Sequence, residues 1–166
     1  MNDEIILEKV LQEFSEKLPK FEDGRIDYST SDKAPVLNCF VKFENQVLIL
    51  RRGDKVRAYR GLWNSIGGYL DEFCLLEEKV LEELREELGI MPDLIFQMKT
   101  GNPFEFNDKD IQKIWLIFPI LVELKSKPEI KLDWEHTDFR WIFPEDLKSF
   151  DTMPGLEKIL ASVLID

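Results

Sequence analysis

Apolar residues along this chain recur with two periods, near 3.6 and near 2, and the switches between them divide it into elements. Leu7, Val10, Leu11, Phe14 and Leu18 keep helical spacing from about Asp3 until Pro19 ends the pattern. This predicts a short amphipathic helix packed on its own domain or, less simply, on a partner subunit. The polar stretch 20–33 reads as a connecting loop, with Asp23, Gly24, Ser29, Thr30 and Ser31 as turn formers. Residues 36–43 and 46–50 are β-rich runs separated by Glu44 and Asn45, which predicts a hairpin.

The helical period returns after a double glycine, Gly67 and Gly68. At about 100° per residue, Val80, Leu81, Leu84 and Leu88 share a core-facing stripe, and Glu83, Glu86 and Glu87 lie together on the neighbouring arc. Beyond Pro92, residues 93–100 and 111–123 read as strands, the second carrying Pro119 as a bulge or edge feature. Residues 101–110 read as a polar loop. An aromatic-rich strand ending at Trp141, a short helix near Pro144 and a final amphipathic helix over 153–164, opened by Pro154, complete the chain. No internal repeat or low-complexity segment appears.

Composition narrows the class. A chain of 166 residues that is 44% hydrophobic suits one folded domain. Its net charge of −11 repels nucleic-acid backbones and anionic membranes, so neither is an expected partner. A small metal-chelated anion suits it better. Two cysteines, Cys39 and Cys74, give no disulfide scaffold and fit a reducing cytoplasm. The acidic start MNDEIILEKV reads as no secretory signal, and no apolar run approaches the roughly 20 residues of a membrane span.

Three like charges near a helix C-terminus oppose one another and the helix dipole, each at a cost of a few tenths of a kcal/mol when exposed. A bound divalent cation reverses that cost, and Mg²⁺ takes such oxygen ligands together with water and phosphate. Upstream, Arg51, Arg52, Lys55, Arg57 and Arg60 form a cationic run in an otherwise acidic chain, and Arg suits bidentate phosphate binding.

The string GGYLDEFCLLEEKVLEELREELGI, residues 67–90, resembles the signature of the Nudix hydrolases, matching it at Gly68, Glu83, Leu84, Glu86, Glu87, Gly89 and Ile90. It departs at two positions, with Cys74 in place of a glutamate and Glu82 in place of an arginine. Ile66 stands where a proline commonly precedes the two glycines. The resemblance implies a mixed β-sheet sandwiched between helices, an α/β fold here preceded by an extra N-terminal helix. It divides the chain into residues 1–34, helix and connecting loop, and 35–166, the hydrolase domain. It implies Mg²⁺ (or Mn²⁺) held by Gly68, Glu83, Glu86 and Glu87, with Glu83 and Glu86 catalytic. Arg51, Arg52 and Arg60 are then the substrate-binding cations.

The implied reaction is cleavage of the pyrophosphate bond of a nucleoside diphosphate linked to another moiety. The alternative is a catalytically impaired Nudix-like module that binds nucleotide or protein, which Cys74 and Glu82 favour. Lys79, four residues before Glu83, is the expected replacement for the missing arginine. Glu105 is a candidate further carboxylate. His136, the only histidine, is expected to hydrogen-bond structurally. Cys39 invites comparison with a related isomerase family, yet it reads as a core residue, and Trp63 as packing. The N-terminal helix also suits a homodimer.

Overall fold

The computed structural model describes residues 2–164. In chain order it contains α1 (Asp3–Lys17), β1 (Lys33–Phe43), β2 (Gln46–Arg52), β3 (Trp63–Asn64), β4 (Ile66–Tyr69), α2 (Leu76–Leu88), β5 (Ile95–Thr100), β6 (Phe104–Asp108), β7 (Lys113–Leu124), β8 (His136–Ile142) and α3 (Leu156–Val163). Short 3₁₀ turns, Pro92–Leu94 and Pro144–Ser149, precede β5 and follow β8. Met1, Ile165 and Asp166, at the outer ends of the two expected ranges, lie outside the described residues.

One mixed sheet organises the chain. β1 and β7 run parallel at its centre, from Lys33 opposite Ile114 to Lys42 opposite Glu123. The free side of β1 is shared by β4 and, beyond a two-residue turn, by β2. Phe43 faces Gln46 across Glu44 and Asn45, with Glu44 at φ 52°, so the expected hairpin forms. β8 and β3 extend the sheet from β2, and β5 and β6 pair with β7. Alternation along the strands fills two faces. Leu37, Cys39 and Val41 point to one, where Leu7 and Leu11 of α1 and Leu76, Val80, Leu84 and Leu88 of α2 cover them. Phe40, Val47 and Ile49 point to the other, beneath Leu156, Ile159, Leu160 and Val163 of α3. Helix α1 therefore packs on its own chain, and Cys39 is a core residue whose thiol burial pushes up in pKa.

Two expectations are corrected. The stretch read as a loop contains β6, whose alternating Phe104 and Phe106 pair with Ile117 and Trp115. Pro119, read as an edge or bulge feature, sits in a central strand. It faces Asn38 of β1 on one side, and on the other it falls between Ile117, the last residue paired with β6, and Ile120, the first paired with β5. A proline has no N–H to donate, so it is tolerated where the neighbouring ladder is interrupted. Its carbonyl still accepts from Gly101 N at 2.9 Å. Trp63 meets Phe150 edge to face with centroids 5.3 Å apart, as a packing residue. No described helix is long and apolar enough to cross a membrane.

Candidate functional site

The site begins where β4 hands over to α2. Gly68 pairs with Leu37 of β1, and a Cβ placed on it would lie 2.8 Å from Glu83 Oε1. Any larger residue here would push the Glu83 carboxylate off this backbone. Burial of Leu76, Val80, Leu84 and Leu88, about 1.5–3 kcal/mol each, fixes the rotation of α2 about its axis. Gly89 ends the helix at φ 69°, its N–H donating to Arg85 O at 3.0 Å.

That rotation carries charged residues inward. Glu87 is only 3% exposed and Lys79 only 7%. Glu87 follows Glu83 by one turn, so the two carboxyls lie on one face of the helix and Glu83 disfavours the charge of Glu87. Burial first, then Glu83, Glu135 and Asp133, push the Glu87 carboxyl up to about 10. Burial also raises Glu83, against the pull of Lys79. Glu87 Oε2 has no hydrogen-bond partner among the described residues. Glu86 instead faces solvent, 3.9 Å from Arg85.

Lys79 reaches the expected partners. Its Nζ lies 3.1 Å from Glu82, 3.5 Å from Glu83 and 3.6 Å from Glu72. Burial opposes its charge, but these carboxylates outweigh that and raise its pKa. Glu82 is thereby not left as an unpaired intruder.

The cationic run divides by strand alternation. Arg52 shares the face of Leu48 and Leu50 and lies half-buried towards Glu135 and Glu87, with its Nε donating to Ala58 O at 3.0 Å. Arg51 projects from the opposite face and donates to Gly61 O at 3.1 Å. Arg60 is held within its own loop by donation to Val56 O at 2.8 Å. Glu105 pairs with Lys33 and makes no contact with the glutamates of α2 among the described residues.

Asp133 and Glu135 were not among the expected site residues. Both lie in the segment leading into β8, and the pairing of His136 with Arg52 brings them towards Glu87. Burial and Asp133 raise the Glu135 carboxyl, while Arg52 lowers it. The sequence signal was the acidic approach to His136. The histidine itself corrects its expected role. Asp133 Oδ1 is 3.6 Å from Nδ1, beyond hydrogen-bond range, and neither ring nitrogen has a partner among the described residues. Burial lowers its pKa, against the pull of Asp133.

Among the described residues, no group of three or more His, Cys, Asp or Glu side chains is placed to hold a metal ion by itself. The donor set nevertheless fits a hard divalent cation that keeps water and phosphate in its shell. Glu83 and Glu87 offer adjacent carboxyls, one buried oxygen lacks a partner, and a glycine backbone stands alongside. A cation there would relieve the burial of like charges.

A family model described as the NUDIX domain matches residues 33–163. The nucleoside triphosphatase NudI of Escherichia fergusonii is 28% identical over 131 residues, which covers 73% of this chain and 89% of that protein. Among solved structures, a MutT protein from Methanosarcina mazei Go1 superimposes with a TM-score of 0.62 at 22% identity, covering 80% of this chain and 93% of that one. The NUDIX domain of Shewanella oneidensis NrtR, solved with ADP ribose, gives 0.64 at 18% identity over 78% and 85%.

Proposed function

The chain belongs to the Nudix hydrolase family, and on that premise we propose that it cleaves the pyrophosphate bond of a nucleoside diphosphate linked to another moiety, using Mg²⁺ or Mn²⁺. A nucleoside triphosphate is the simplest such substrate, and the similarity to NudI supports it. In this reading residues 35–166 carry the hydrolase domain and residues 1–34 the N-terminal helix and loop. The observation that carries it is half-buried Glu83 against Gly68, one helical turn from buried Glu87, whose Oε2 is unpartnered among the described residues.

Glu83 and Glu87, with the Gly68 carbonyl and Glu86 beside them, are assigned as the cation's ligands. A bound divalent cation supplies charge neutralisation of the pyrophosphate and a lowered pKa for the water it holds. Glu86 faces solvent, where water arrives, and is assigned to accept the proton as water attacks phosphorus and the bridging P–O bond breaks. Glu83 is the second catalytic carboxylate. Arg52 is assigned to donate to phosphate oxygens with Arg60 of the neighbouring loop as a second cation, and Arg51 is left out because it faces the other way.

The test is phosphate or pyrophosphate release from nucleoside triphosphates, dinucleoside polyphosphates and nucleotide sugars, with and without Mg²⁺. Metal-dependent turnover that Glu86→Gln and Glu87→Gln abolish supports hydrolysis. Thermal stabilisation by nucleotide without any turnover points instead to a binding module and overturns the assignment.

A further inference from the structure

Residues 2–28 lie before the segment that matches the family model, yet they hold the turn that presents the site. Tyr28 Oη donates to Leu70 O at 2.6 Å, and Ile26 N donates to Asp71 O at 2.8 Å. Arg25 reaches Asp71 Oδ2 at 3.7 Å. Both carboxylate oxygens of Glu4 accept from Leu76 N, at 2.9 and 3.1 Å.

The last contact fills a gap in α2. The residue before that helix, Leu75, has no side-chain oxygen with which to cap it. The first N–H groups of a helix need an acceptor, and a carboxylate there also favours the dipole. Glu4 supplies one from a different helix. Its position is set by Leu7 and Leu11, each 1% exposed, and by Asn2, whose Oδ1 accepts from Glu4 N at 3.0 Å. Tyr28 is equally fixed, 4% exposed and packed between Phe14 and Tyr69.

The tie reaches the carboxylates through Lys79. Its Nζ contacts Glu72, in the held turn, at 3.6 Å and Glu83 at 3.5 Å. A shift of residues 70–75 therefore moves the cation that steadies Glu83. We propose that residues 2–28 act as a strap that sets the turn and the start of α2, with Glu4 and Tyr28 as positioning residues for Glu83. Only the metal arm of this inference rests on the proposed hydrolase reading.

Amide hydrogen exchange over residues 70–80 of the full, metal-free chain tests the strap directly. Glu4→Ala, and separately Tyr28→Phe, speed exchange there about tenfold, the size expected for a lost cap or buried hydrogen bond. Glu4→Gln, which keeps an acceptor oxygen, restores most of the protection. Mn²⁺ affinity, read by electron paramagnetic resonance, falls several-fold in Glu4→Ala. In Ile159→Ala, a core lesion in α3, it stays at the wild-type value although Tm drops. Unchanged exchange in both strap variants overturns the proposal, as does equally fast exchange at these amides in Ile159→Ala. If Mn²⁺ binds not even the wild-type chain, the hydrolase reading fails and the exchange data still decide the strap.

Discussion

Helices α2 and α3 cover opposite faces of one sheet and are built on different terms. Helix α3 buries Leu156, Ile159, Leu160 and Val163, all apolar. Helix α2 buries Leu76, Val80, Leu84 and Leu88 but takes Lys79 and Glu87 in with them. Apolar burial stabilises outright, whereas a buried carboxyl costs free energy unless it is protonated, paired or bound to a cation. The α3 face thus adds apolar burial throughout. The α2 face carries a buried carboxyl whose cost, on the proposed reading, a bound cation offsets.

The largest expected effect separates the faces by activity. Glu87→Gln lowers turnover by about 10²–10⁴-fold in steady-state assays and leaves folding intact. Ile159→Ala does the reverse, costing about 2–5 kcal/mol in denaturant melts while metal affinity stays unchanged. If Ile159→Ala weakens metal binding as much as it weakens folding, the faces are not separable.

Titration sharpens the contrast. The folded pKa of Glu87, about 10, lies above its unfolded value. Its stabilising contribution is therefore complete below the unfolded carboxyl pKa and is lost as pH rises towards 10. Metal-free wild type falls behind Glu87→Gln at pH 9 and matches it near pH 4. Metal affinity runs the other way, rising with pH, because the ligand must lose its proton. Saturating Mg²⁺ at 100 times its Kd then adds about 2.7 kcal/mol in thermal melts at pH 8. Glu87→Gln shows none of this gain.

The smallest test concerns neighbouring arginines. Arg52→Ala raises KM about tenfold through a lost charged hydrogen bond, and Arg51→Ala shifts it less than about twofold. Equal effects would remove the strand-face assignment.

What the sequence made legible was local. The spacing of Glu83 and Glu87 on one helical arc, the double glycine and Lys79 at four residues from Glu83 are all short-range patterns, and they meet in space. What escaped depended on long-range register. Arg51 and Arg52 look equivalent as letters and are told apart only by which face of β2 each occupies. Asp133 and Glu135 join the site because His136 lies opposite Arg52, a pairing of residues far apart in the chain. Strand β6 was hidden because two phenylalanines amid acids and asparagine give too brief an alternation to stand out. The acceptor for Leu76 N was invisible for the same reason, since Glu4 is 72 residues away.

Pro119 has one more effect. Along the outer flank of β7 the ladder changes from β6 to β5 at this residue, so the exposed border consists of runs of five and six residues. Within the second, Phe96 is an extra residue between Ile95 and Gln97 and stands 67% exposed. A border both broken and bulged is a poor template for a foreign strand to zip against. The break at Pro119 and the bulge at Phe96 together leave this rim poorly suited to fibre-like stacking.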